Sequence, residues 1–157
     1  MKVCPLPADS PAPLTAQTTA HGAQADPDPA LPALIETLRH DGIITARQVE
    51  AARFWATDYR IGVMGLEDPL FDRTSLGLSR RPLNGRSGSI NRYRYIHDII
   101  GARYERVLIA AMIDQRPLPE LARHARHDPQ HMGQVLTLLL DFLTRHYDAM
   151  PGHLWRG

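Results

Sequence analysis

Between Pro129 and Pro151 the chain places Met132, Val135, Leu136, Leu139, Leu140 and Leu143 at helical spacing, and no other feature narrows the fold as much. Apolar residues recurring at three and four positions mark one face of an α-helix that must be buried against neighbours. Pro129 suits the first position of such a helix, where its missing N–H costs nothing, and Asp128 stands before it as a cap. The helix is expected to run to about Tyr147, with Pro151 and Gly152 ending it.

Its partners are visible upstream. Arg103–Asp114 reads as one helix, broken by Gln115, Arg116 and Pro117, and Pro119–Arg126 reads as a second, short one. Further back, a helix from about Pro32 to His40 carries Leu34, Ile35 and Leu38 on one face and stops at Gly42. Thr45 then caps a helix to about Arg60, whose Val49, Ala52, Trp55, Ala56 and Tyr59 form a buried stripe. Ser89 is expected to cap a helix that continues toward Asp114, bent at Gly101, with Ile96, Ile100, Tyr104, Val107, Leu108 and Ala111 inward. No internal repeat is visible.

The fold class is therefore all-α: a small helical domain ending in a trihelical helix-turn-helix. Residues 1–29, rich in Pro, Ala, Thr and Asp without apolar period, read as a disordered tail. The remainder divides into a helical hairpin over 30–60, an Arg- and Gly-rich loop over 61–89, and a helix-turn-helix lobe over 90–148.

The helix-turn-helix reading rests on residues 118–140. Ala122 is small where two helices would cross, and Leu118, Leu121 and Ala125 anchor the first helix. Asp128 closes the turn, while Met132 and Leu136 anchor the second helix four and eight residues beyond it. Arg126 stands where glycine is common, so the turn must tolerate a strained residue there. With Met132, Leu136 and Leu139 inward, Gln130, His131, Gln134 and Thr137 face outward on the half that enters a major groove. Gln bridges the N6/N7 edge of adenine, and His131 reaches a base or a phosphate. Gly133 costs ~1 kcal/mol relative to alanine, either for close approach of DNA or for a tight helix contact.

The net charge of +1 favours no acidic partner by itself, but its distribution does. Residues 72–106 carry eight Arg against three acids. Within them, 79–94 reads SRRPLNGRSGSINRYR, so Arg80, Arg81, Arg86, Arg92 and Arg94 are the expected phosphate-binding residues. Such an arm offsets a reading helix with no arginine in its first two turns.

Other chemistry is not indicated. His124, His127 and His131 lack the fourth ligand of a closed zinc site, so no metal is expected. There is no Gly-rich phosphate loop and no G-x-S-x-G, and Glu36, Glu50 and Asp58 look like exposed helix faces; neither enzyme activity nor a cofactor is expected. No run approaches the ~20 apolar residues of a membrane span. Pro5, Pro7 and Asp9 interrupt any signal-peptide core, and the single Cys4 suits a reducing compartment, so a cytoplasmic location is expected.

Two stretches carry a resemblance: Thr45–Gly65, TARQVEAARFWATDYRIGVMG, and Val107–Tyr147, VLIAAMIDQRPLPELARHARHDPQHMGQVLTLLLDFLTRHY. Together they resemble an uncharacterised alphaproteobacterial domain found in phage-type proteins and at the C-terminal end of the gene transfer agent activator. The matching endings are Trp55-Ala56-Thr57-Asp58-Tyr59 and Leu140-Asp141-Phe142-Leu143-Thr144-Arg145-His146-Tyr147. The resemblance implies a DNA-binding regulatory or phage-derived role without enzymatic activity; the long Arg- and Gly-rich loop departs from the pattern. The expectation is a regulator that binds double-stranded DNA. The alternative is an assembly or interaction subunit, such as a small phage packaging component or an RNA-polymerase-binding factor.

Overall fold

The structure is a computed structural model, and it describes residues 30–68 and 85–155. The tail over 1–29 and the centre of the Arg- and Gly-rich loop, with Arg80 and Arg81, lie outside the described residues. From Leu31 onward the described residues are helical, with no strand among them.

Among the described residues five α-helices make the framework: α1 (Ala33–His40), α2 (Ala46–Asp58), α3 (Arg86–Leu108), α4 (Leu118–Ala125) and α5 (Pro129–Asp148). Thr45 caps α2 in a reciprocal arrangement: its hydroxyl accepts from the Gln48 N–H at 3.3 Å, and its own N–H donates to Gln48 Oε1 at 2.8 Å. α2 and α4 both pack on α5, and the fully buried Trp55, Ile96, Leu108, Met112, Met132, Leu136, Leu140 and Leu143 fill the space between. α3 runs antiparallel to α5, for Ile100 lies by Leu139, Val107 lies by Met132, and Arg92 shares a carboxylate with Tyr147.

Two helices end alike, although the sequence shows no repeat. α2 widens into a π turn over Tyr59–Val63, and α3 into another over Ile109–Ile113. Each then reverses through a left-handed residue, Gly65 (φ 75°) and Gln115 (φ 52°). The N–H of Leu66 donates to the Arg60 carbonyl at 3.0 Å, and the N–H of Arg116 to the Ala110 carbonyl at 2.9 Å. Arg60 ties the two endings, donating from Nη2 to the Met112 carbonyl at 3.2 Å. The first ending also explains Gly62: a Cβ there would lie 2.8 Å from the backbone nitrogen of Ile90, so α3 rests directly on this turn.

Expectations about helix bounds and burial need correction. α3 starts at Arg86 after Gly85 (φ 83°), not at Ser89, which is buried within the helix and accepts a hydrogen bond from Arg92. The expected loop over 61–89 is helical at both of its ends, since helical turns reach Val63 and resume at Arg86. Asp58 is not an exposed face but 2 % exposed. Its carboxylate accepts from Arg92 Nη2 at 2.7 Å and Nε at 3.1 Å, and from the Tyr147 hydroxyl at 3.3 Å. Burial holds this carboxyl above its ordinary range, against the opposing pull of Arg92, Tyr147 and Ser89. Arg92 also lies over the Trp155 ring, 5.3 Å from its centroid.

Gly101 (φ 74°, ψ 161°) breaks α3 as the sequence suggests. The two halves are clamped across the break: the Tyr93 hydroxyl donates to Glu105 Oε1, and His97 Nδ1 lies 3.0 Å from Glu105 Oε2. Burial and the Glu105 contact push the Tyr93 hydroxyl well above its usual range. The break resets the helical phase, so Tyr104, expected inward, is 47 % exposed.

Candidate nucleic-acid interface

The α4–α5 unit is built by its caps. Pro117 precedes α4 in extended backbone, and Pro119 occupies its first turn. Leu121 and Ala122 are buried, and Leu118 and Ala125 are half-buried against the core. α4 stops because Arg126 takes the left-handed conformation (φ 58°, ψ 41°), which lets the His127 N–H donate to the Ala122 carbonyl at 2.9 Å. Asp128 then restarts the helix, accepting the His131 N–H at 2.9 Å; this hydrogen bond draws its carboxyl below the ordinary range. Two helices joined by a three-residue turn, the second capped by an acid and opened by Pro129, make a helix-turn-helix.

The four expected reading residues border two grooves, one on each side of α5. Gln130 and Gln134 are exposed, and with the half-buried Thr137 they line a groove whose far wall is Leu38, Ile43 and Gln48. The Thr137 hydroxyl donates to the Gly133 carbonyl at 2.9 Å within its own helix, which occupies its proton. His131 stands on the other flank of α5, its ring 4.6 Å from that of His127. There it lines a second groove of about 640 Å³ with Arg103, Arg106 and His124. Gly133 is not required by a tight helix contact, since a methyl there would meet only Leu118 Cδ2 at 3.8 Å.

The expected phosphate-binding set fares differently. Arg92 is withdrawn from it: only 9 % exposed, it is committed to Asp58 because the helix phase from Arg86 turns it inward. Arg86 and Arg94 are exposed, and Arg86 donates to the Gly62 carbonyl at 3.4 Å. They sit on the half of α3 that meets the C-terminal end of α5. At 1.5 Å per residue, that end is about 25 Å from Gln130. The structure therefore does not bring Arg86, Arg92 or Arg94 to the expected reading residues. Arg103 and Arg106, which do approach His131, were legible only as part of the general positive charge over 72–106.

The histidines of the turn do not gather into a metal site: among the described residues no group of three or more His, Cys, Asp or Glu is arranged to hold an ion. No described helix is long and apolar enough to cross a membrane. In comparisons with known proteins, no family model, no curated protein and no solved structure matches the chain.

Proposed function

We propose that the protein is a DNA-binding regulator whose α5 inserts its N-terminal half into the major groove of a duplex. The observation that carries this reading is the α4–α5 unit itself, with Gln130, His131 and Gln134 exposed in the two turns after the Asp128 cap. Gln134 stands near the centre of the outward face, where a bidentate contact to adenine is geometrically natural. Thr137 contributes at the edge at most, its hydroxyl proton being engaged. A phage or gene transfer agent setting is supported by the resemblance of Thr45–Gly65 and Val107–Tyr147 alone.

The test is selection of bound duplexes from a random pool, followed by titration of the preferred and a scrambled sequence. Gln134→Ala is expected to weaken the preferred duplex by ~1–3 kcal/mol and the scrambled one little. Equal loss on both duplexes would show that Gln134 reads no base.

A second reading, a protein-interaction subunit that engages RNA polymerase or phage assembly proteins, is favoured by a specific feature. Ile99 and Tyr104 of α3 and Leu138 and Phe142 of α5 form an exposed apolar strip, with Leu138 67 % exposed. Contiguous apolar surface of this kind marks contact sites on soluble proteins. Leu138→Glu with Phe142→Glu would abolish a function carried by this strip while leaving duplex binding intact.

A further inference from the structure

We propose that the groove between the second half of α3 and the α4–α5 turn holds the phosphate backbone of the bound duplex, a role the sequence assigns to the arginines upstream. The inference rests on the DNA-binding reading above.

Four elements converge on this groove. α3 brings Arg103 and Arg106, α4 brings His124, the turn brings His127 and α5 brings His131. All five side chains are exposed, and no carboxylate lines the groove. The acids next in sequence to Arg106 and His127 are otherwise engaged. Asp128 caps α5 through the His131 N–H, and Glu105, the only acid between Gly101 and Leu108, is buried under Tyr93 and His97. Helical spacing after the Gly101 break produces this separation: one side of the short segment turns its acid inward and the other presents two guanidinium groups outward.

The location fits the duplex. A helix lying in a groove about 12 Å wide has a phosphate strand along each flank. His131 marks the flank of α5 that faces Arg103 and Arg106. The opposite flank, walled by Leu38 and Ile43 and containing Asp141, is lined by no cation. The geometry therefore directs one phosphate strand to the α3 side, where planar guanidinium forks match phosphate oxygens.

The experiment measures binding of the full chain to a selected duplex across a salt series. Arg103→Gln with Arg106→Gln is expected to reduce the slope of log K against log salt by about 1.8, the release of two phosphate contacts. Between 50 and 200 mM salt the wild type would then lose about 12-fold more affinity than the variant. Arg103→Lys with Arg106→Lys, which keeps both charges, should keep the wild-type slope. Arg86→Gln with Arg94→Gln, at the far end of α5, should change the slope less than the Arg103/Arg106 pair does. If the wild type binds with a salt slope that Arg103→Gln with Arg106→Gln leaves unchanged, this groove does not hold phosphate and the DNA-binding reading stands. If the wild type binds no duplex at any salt, both are overturned together.

Discussion

The two ends of α5 are both polar, and they are opposite in kind. At the C-terminal end, Tyr147 closes a cluster in which Asp58 and Arg92 are buried and satisfy one another. At the N-terminal end, Gln130, His131 and Gln134 stand in solvent beside further cations. A buried charge pair with its hydrogen bonds complete has nothing left for a ligand; it holds three helices in one arrangement. An exposed set whose groove no carboxylate lines has its capacity in reserve. The contrast sets a structural junction at one end of a single helix apart from the exposed polar set, proposed above for recognition, at the other.

Asp58→Ala is the strongest way to break this contrast. It leaves the Arg92 guanidinium buried without its counter-charge and should destabilise by about 3–5 kcal/mol in urea unfolding. A loss below ~1 kcal/mol, the scale of an exposed pair, would mean that the closed end is not a structural junction. Gly62→Ala tests the same end through shape alone: the added methyl must push α3 away from the turn at Tyr59–Val63, at about 1–3 kcal/mol. An unchanged unfolding midpoint would show that the contact gives way easily.

At the open end the effects are smaller and one has the opposite sign. Arg126→Gly removes a side chain from a left-handed position and should stabilise by up to about 1 kcal/mol, read as a raised Tm. A lowered Tm would show that the Arg126 side chain makes contacts worth more than its strain. The smallest effect concerns the cap. Asp128 has a folded-state pKa below its unfolded value, so the native state binds fewer protons and stability rises with pH through that window. Its contribution is therefore present above the ordinary carboxyl range, about pH 4, and fades as pH falls through the depressed value. Asp128→Ser, which caps without titrating, should flatten the fall of Tm in acid; an identical acid limb in both proteins would remove Asp128 from that dependence.

Much of the framework could be read from local pattern, because its signals act within one or two turns. Thr45 and Asp128 cap their helices through residues three positions on, and Gly42, Gly101 and Arg126 take the left-handed backbone that their positions suggest. The interface was less legible. Gln130, Gln134 and His131 follow from the phase of α5, but whether a side chain four residues away shares their surface depends on what packs beside the helix. Arg92 illustrates the limit: it belongs to an arginine-rich run with Arg86 and Arg94, and only its phase relative to a helix start at Arg86 separates it from them.

The sequence by itself determined that the described residues are helical, that Thr45 and Asp128 cap α2 and α5, and that Met132, Leu136, Leu140 and Leu143 face a core, since spacing and capping chemistry are local properties. Only the tertiary structure decided that Asp58 meets Arg92 and Tyr147, 34 and 89 residues away, and that Arg103 and Arg106 reach the flank of His131. Nothing in a run of residues encodes which helix will lie antiparallel to α5. That follows from filling one core with five apolar faces at once, and the placement of every charge follows from the packing.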